Sequence, residues 1–157
     1  MLLRKKISVV GIGYVGLSNA IALSVNNDVV AYDIDKNKVS LVRNKKSPLT
    51  EPEIINYLAI EKLHLEATTS KKRAFSESEY ILIATPTNYD ESSNYFDTST
   101  VESVIKDILE FNTNAVIIIR STIPVGFVDF VREKYNYSNI IFCPEFLREG
   151  HSLSDTF

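Results

Sequence analysis

Apolar and polar positions fall in blocks along this chain, and the period changes from block to block. "KISVVG" (residues 6–11) is a short β-branched run that predicts a buried strand. Residues 14–25 continue as a helix, with Val15, Ala20, Ile21 and Leu23 among its apolar positions. "DVVAYD" (28–33) predicts a second strand, and "DKNKVSLVRN" (35–44) a helix with Asp35 at its N-cap. "SPLTEPEII" enters another helix, where Thr50 and Glu53 fit a capping box. A weaker strand over Leu63–Thr68 and a polar helix over 70–78 follow. "YILIA" (80–84) is a clear buried strand, stopped by Pro86.

Beyond it, "TPTNYDESSNYFDTS" has no apolar period and reads as a long loop. The loop over 85–97 is either functional or a disordered surface excursion. Val101, Val104, Ile105, Ile108 and Leu109 then recur at the spacing of an amphipathic helix. "AVIIIRS" (115–121) is a strand, 125–135 a helix and "NIIFC" (139–143) a last strand, in which Cys143 reads as a small buried hydrophobe. Strands alternate with helices and are nearly continuous in apolar residues. The expected fold is α/β: Rossmann-like and doubly wound, a mainly parallel sheet with helices on both faces, in one domain over 1–157.

Composition narrows the function. The chain has 157 residues, 45% of them hydrophobic and 24% charged, which suits a globular domain with a substantial core. A net charge of −3 gives no electrostatic footprint for nucleic acid. One cysteine excludes an internal disulfide or a multi-cysteine metal site, and His64 and His151 form no ligand pattern. Basic residues precede the first apolar stretch, as in a secretory signal. Gly11, Gly13 and Gly16 interrupt that stretch, however, and no small-residue cleavage site follows. No segment approaches the ~18 uninterrupted apolar residues of a membrane span. The expectation is a cytoplasmic protein without membrane or nucleic-acid partners.

The three glycines follow a predicted strand and open a helix, within a unit of about 30 residues that ends in a second strand. Each has its own task. Gly11 permits the tight turn, Gly13 lets the backbone approach a pyrophosphate, and Gly16 lets the helix pack on the strand. The phosphates belong at the helix N-terminus, where unpaired N–H groups favour negative charge. Asp33, at the end of the second strand, is placed to accept hydrogen bonds from ribose hydroxyls and to repel a 2′-phosphate, so NAD is favoured over NADP. The alternative is a turn without a ligand, with Asp33 as a second cap. Lys38 reaches the adenosine side or is a solvated helix lysine.

"GIGYVGL", "YDIDKNKV", "IATPTN", "YFDTSTVESVI", "RSTIPVG" and "CPEFLREG" occur in that order, and "PEFLREG" and "STIPVG" are specific. Together they resemble the N-terminal domain of the UDP-glucose/GDP-mannose dehydrogenase family, over nearly the whole chain. The resemblance implies oxidation of a sugar C6 alcohol to a carboxylate with two NAD. The aldehyde stage is held on a cysteine thiol, oxidised to a thioester and hydrolysed. It further implies that Gly11, Gly13, Tyr14, Val15 and Gly16 hold the pyrophosphate, that Asp33 and Lys38 serve the adenosine end, and that Thr87 contacts NAD. Thr122 lies near the nicotinamide and the reacting carbon, and Glu145 is the acid/base for thioester hydrolysis. Glu145, Phe146, Leu147, Arg148 and Glu149 line the sugar-nucleotide site, Glu149 also near the nicotinamide.

Thr87, Thr122 and Glu145 all follow predicted strand ends, where open α/β sheets bind ligands. Alternatives stay open: Thr122 as a helix cap before Pro124, and Glu149 paired with a neighbouring base. The family's nucleophilic cysteine lies in a later segment ending C-x-P-K-D, which these residues do not contain. The chain is therefore expected to be the NAD-binding domain without the central helix and the C-terminal UDP-sugar-binding domain, able to bind NAD but not to oxidise UDP-glucose. Full-length members are expected to form homodimers through the central region. A related enzyme acting on GDP-mannose or a UDP-N-acetylhexosamine, or a non-catalytic nucleotide-binding module, are the other readings.

Overall fold

The computed structural model describes residues 3–60, 62–91 and 95–157. Strand β1 (Lys6–Val10) leads through the glycine turn into helix α1 (Tyr14–Ser24). Then come β2 (Asp28–Tyr32), α2 (Lys36–Arg43), α3 (Pro52–Ile60), β3 (Leu65–Thr68), α4 (Lys71–Phe75) and β4 (Tyr80–Ile83). The second half has β5 (Asn88–Asp90), β6 (Tyr95–Asp97), α5 (Ser99–Phe111), β7 (Val116–Ile119), α6 (Phe127–Tyr135) and β8 (Ile140–Phe142).

Six strands form one parallel sheet in the order β3-β2-β1-β4-β7-β8. Strand order reverses between β1 and β4, so the two halves of the sheet wind away from a common crevice at their carboxyl ends. Side chains alternate across the sheet. Ile7, Val9, Val29, Ala31 and Leu82 belong to a core with Leu17 and Ile21 of α1, Val39 and Val42 of α2, and Ile54 and Leu58 of α3. Val10, Tyr32, Ile81, Ile83, Ile117 and Ile119 belong to the opposite core, with Phe75 of α4, Val101, Ile105 and Ile108 of α5, and Phe127 and Val131 of α6. The doubly wound sheet expected from the apolar blocks is the fold observed.

Four local expectations change. The stretch over 85–97 is not a plain loop: β5 and β6 pair antiparallel, with Tyr89 opposite Phe96 and their ring centroids 4.9 Å apart. Residues 92–94 of that stretch lie outside the described residues. The start of α3 is capped one residue later than expected. The Glu51 carbonyl accepts from Ile55 N (3.1 Å), while Glu53 accepts from the Ser154 backbone instead of closing a capping box. Helix α6 begins at Phe127, after Gly126 turns the chain at φ 86°. Cys143 is exposed, not buried, and its Sγ receives Nη1 of Arg120 at 3.1 Å. It sits just past β8, the outermost strand, so the apolar run before it is packed on one side only.

Asn112 joins three elements in the second half of the fold. Its amide donates to the carbonyls of Phe75 and Ser78, both at 2.8 Å, and its Oδ1 accepts from Asn114 N (2.9 Å) and Ala115 N (3.1 Å). Truncation leaves two carbonyls and two N–H groups without their partner. We expect Asn112→Ala to destabilise the domain by roughly 2–3 kcal/mol, from net hydrogen-bond values of about 1 kcal/mol and the added cost of orphaned groups. A thermal melt should fall by roughly 5–10 °C, as that loss implies for a domain of this size. A shift under about 2 °C would show that the amide clamp contributes little.

Candidate functional site

The carboxyl end of the sheet is built around backbone contacts that only glycine permits. Gly11 adopts φ +99°, and a Cβ there would lie 2.6 Å from the Ala84 carbonyl oxygen at the end of β4. A Cβ on Gly16 would lie 1.8 Å from the Gly11 carbonyl oxygen, so helix and turn touch directly. Gly13 differs: a Cβ there meets nothing within 4 Å. The first and third glycines serve the fold, whereas the space at the second is open.

Gly13 is the N-cap of α1, in extended conformation and with no side chain capping the helix. The next backbone N–H groups have no intrahelical acceptor, and the first turn carries no acidic residue. The helix dipole adds positive potential at that point. An anion fits there without displacing any side-chain cap.

Asp33 closes the turn from the neighbouring strand. Its Oδ2 accepts from Ile12 N at 2.7 Å and its Oδ1 from Asp35 N at 2.9 Å. Gly11 N donates to the Tyr32 carbonyl at 2.8 Å, so the turn is bonded to the end of β2 twice. The cap alternative for Asp33 is thus partly realised, since it holds the backbone leading into α2. Each oxygen still has acceptor capacity, and Asp33 is only half-buried. Asp35 caps α2 as expected, accepting from Asn37 N (2.8 Å) and Lys38 N (3.3 Å). Lys38 is half-buried in the first turn of α2.

The remaining predicted residues lie past other strand ends. Tyr14 and Val15 are half-buried in the first turn of α1. Thr87 is half-buried between β4 and β5. Thr122 is exposed after β7 and caps no helix, because α6 is capped by Gly126. Glu145 is half-buried after β8, its Oε2 accepting from Leu147 N at 2.8 Å. Phe146 is 90% exposed and Leu147 half-buried. Arg148 pairs with Asp155, Nη2 to Oδ1 at 2.6 Å and Nε to Oδ2 at 3.0 Å, and Glu149 is exposed. The structure bonds the glycine turn to Asp33. It brings Thr87, Thr122 and Glu145 to the same edge of the sheet, without hydrogen bonds among them in the described residues.

Three contacts at this edge were not foreseen. The Ser121 hydroxyl donates to the Thr85 carbonyl at 2.7 Å, joining the ends of β7 and β4. The Thr85 hydroxyl oxygen is itself buried, with no hydrogen-bond partner among the described residues. The segment after residue 150 returns to the first half of the fold, and buried Ser152 bonds Ser18 of α1 and Glu51 (both 2.7 Å). The motifs "IATPTN" and "RSTIPVG" mark Thr85 and Ser121, whereas nothing local marks Glu51 or Ser152. At the opposite end of the sheet a groove of about 500 Å³ is lined by Lys6, His64, Glu66, Arg73 and Glu77. Its charges neutralise each other, Lys6 with Glu77 and Arg73 with Glu66.

Comparison with known proteins agrees with this geometry. Residues 5–157 match the family model described as "UDP-glucose/GDP-mannose dehydrogenase family, NAD binding domain". The chain is 48% identical over 155 residues to a UDP-glucose 6-dehydrogenase of Campylobacter jejuni, covering 96% of this chain and 39% of that protein. It is 47% identical over 150 residues to a UDP-glucose 6-dehydrogenase of Streptococcus pneumoniae, covering 96% and 38%. The chain thus spans about two-fifths of the length of these relatives. Among solved structures, a UDP-glucose dehydrogenase from the archaeon Pyrobaculum islandicum superposes with a TM-score of 0.88 at 24% identity, over 99% of this chain and 39% of that one. Among the described residues, no helix is long and apolar enough to cross a membrane.

Two outcomes follow from the geometry. Gly16→Ala should prevent stable folding, because backbone blocks the new methyl. Gly13→Ala should fold with a loss of no more than about 1 kcal/mol, the cost of a poorer N-cap, yet bind NAD much more weakly. Denaturant titration and NAD titration of both variants check this, and full NAD affinity in Gly13→Ala would remove the phosphate role. The second concerns acid. The Arg148 guanidinium holds the Asp155 carboxyl below its ordinary 3.8, at about 2. A lowered folded-state value stabilises above the unfolded one. The contribution is therefore full above pH ~4 and fades toward pH ~2. Amide exchange at Arg148, whose N–H donates to Asp155 Oδ2 at 3.0 Å, should accelerate relative to the core across that window.

Proposed function

The chain belongs to the UDP-glucose/GDP-mannose dehydrogenase family as its NAD-binding domain, and we propose that it serves a UDP-glucose 6-dehydrogenase, which oxidises UDP-glucose to UDP-glucuronate. The carrying observation is the turn at the switch point. An uncapped helix N-terminus with open space at Gly13 stands next to the Asp33 carboxylate. That combination suits a dinucleotide: phosphates on the helix end and ribose hydroxyls on the acid.

In this reading the backbone N–H groups at Gly13, Tyr14 and Val15 receive the pyrophosphate. Asp33 is already oriented by Ile12 N and Asp35 N, so little ordering remains when it accepts the ribose hydroxyls. Its negative charge disfavours a 2′-phosphate, and Lys38 flanks the adenosine. Bound NAD supplies the hydride acceptor. Thr87 contacts NAD, Thr122 lies near the nicotinamide and the reacting carbon, and Glu149 lies near the nicotinamide. Residues Glu145 to Glu149 receive the nucleotide sugar. Glu145 takes the base role toward water, its carboxylate steered by Leu147 N. Cys143 is exposed and accepts a hydrogen bond from Arg120, in a motif unlike the family's C-x-P-K-D, so it is not assigned as the nucleophile. Identities of 48% and 47% to two UDP-glucose 6-dehydrogenases favour UDP-glucose over other nucleotide sugars.

Titration of the 157-residue chain with NAD and NADP tests the cofactor reading. NAD should bind more tightly than NADP, and Asp33→Ala should lose NAD affinity while losing less, or gaining, for NADP. Equal wild-type affinity for the two would sink the Asp33 assignment. With NAD and UDP-glucose together, the chain should not sustain NADH formation; turnover at ~1 per second or more, ordinary for an enzyme, would mean that Cys143 or another group here carries the chemistry.

A further inference from the structure

After β8 the chain crosses the carboxyl edge of the sheet and is held at both ends. At one end Cys143 N donates to the Ile119 carbonyl at 3.0 Å, which fixes the start of the crossing to β7. At the other end the anchor is polar and buried. Glu51 is only 2% exposed, and Ser18 and Ser152 are fully buried. Ser152 donates to Glu51 Oε2 at 2.7 Å, and Leu153 N donates to Glu51 Oε1 at 2.9 Å. The Ser152 proton is thereby committed, so the Ser18 hydroxyl is the donor in its 2.7 Å contact with Ser152. Glu51 sits at the start of α3, where its carbonyl accepts from Ile55 N at 3.1 Å.

Apolar contact alone would bury the end of the segment, and Leu153 already does so in the first core. The polar anchor adds register. One carboxylate accepts from two adjacent residues, so only Ser152 and Leu153 fit it, and the length of chain left for residues 144–150 is set. Ser18 lies one turn beyond the uncapped end of α1, roughly 7 Å along the axis from Gly13. The anchor therefore refers the crossing segment to the same helix that faces the cofactor phosphates.

We propose that the Ser18–Ser152–Glu51 relay is a positioning device that fixes residues 145–149 relative to the N-terminus of α1, and so aligns bound nucleotide sugar with bound cofactor. The substrate part rests on the reading of 145–149 given above; the tether itself does not.

The test uses the 157-residue chain and the variants Ser152→Ala and Glu51→Gln. The glutamine keeps an acceptor for Leu153 N and offers an amide donor to Ser152 Oγ, which then donates to Ser18, so the anchor persists in reversed sense and exchange at Leu147 and Arg148 should rise less than in Ser152→Ala. In Ser152→Ala, amide exchange at Leu147 and Arg148 should rise by about tenfold, as the loss of a buried hydrogen bond implies. Exchange at Ile81 and Ile105 of the opposite core should stay within about twofold, as for sites that share no partner with the change. UDP-glucose, followed by amide shifts of residues 145–149, should bind about tenfold more weakly on the same ground, with NAD affinity nearly unchanged. Unchanged exchange at Leu147 and Arg148 in Ser152→Ala would overturn the proposal. So would a parallel rise at Ile81 and Ile105, which marks a general loss of stability. If UDP-glucose leaves the wild-type amides of 145–149 unmoved, the substrate reading of the segment fails, and the alignment role fails with it, whatever exchange shows of the tether.

Discussion

No side chain fits at Gly16, and the architecture of the carboxyl edge follows from that. A Cβ there would sit 1.8 Å from the Gly11 carbonyl oxygen, so α1 rests on the turn backbone itself. Gly11 in turn abuts the Ala84 carbonyl, which brings the end of β4 into the same contact. Three backbones meet where the strand order reverses. The floor of the crevice at this point is therefore largely main chain. A phosphate can approach such a floor closely, and a methyl group added at either of the two contacts would force the backbones apart.

Asp33 shows why the structural and ligand readings of a strand-end acid need not compete. A carboxylate offers about four acceptor positions, and the fold uses two, for Ile12 N and Asp35 N. Those bonds hold the carboxylate in place before any ligand arrives. Its remaining acceptor capacity belongs to a side chain that is only half-buried. The same residue shapes the turn and, in the proposed reading, would tell a ribose hydroxyl from a phosphate, because both tasks need a fixed negative group at the end of β2.

What the sequence reveals depends on how local the cause is. Buried strands such as Ile81–Ile83 announce themselves as apolar runs, and α5 by the spacing of Val101, Ile105 and Ile108, because burial on both faces leaves no room for polar residues. The β5–β6 ribbon is not legible in the same way. Its strands are three residues each, and "NYD" and "YFD" are as polar as a loop; the Tyr89–Phe96 stack that joins them is a pairing across the gap. Cys143 misleads for the opposite reason. "IIFC" looks buried, but β8 is the outermost strand, and Ile141 and Phe142 remain 44% and 42% exposed. The glycine turn and Asp33 were legible because their spacing is short. Glu51 and Ser152 were not, because they meet across 101 positions and neither residue type in its own neighbourhood suggests a partner.

That long-range pair also bears on how the two halves of the site keep their relation. The cofactor end is made of backbone in direct contact, which is rigid by packing. The segment after β8 has little packing of its own; Phe146 is 90% exposed and Glu149 is exposed as well. Such a segment holds position through its ends. Cys143 N bonded to β7 fixes one, and Glu51 with Ser18 fixes the other. Between them, Glu145 accepts from Leu147 N, and Arg148 folds back on Asp155. Both fixed points trace to elements that also carry the glycine turn or its neighbours: β7 is bonded to β4 through Ser121, and Ser18 belongs to α1. The segment is thus referenced twice to the crevice, and displacement of either reference would move the groups of 145–149 against the N-terminus of α1 even with every one of those groups left intact.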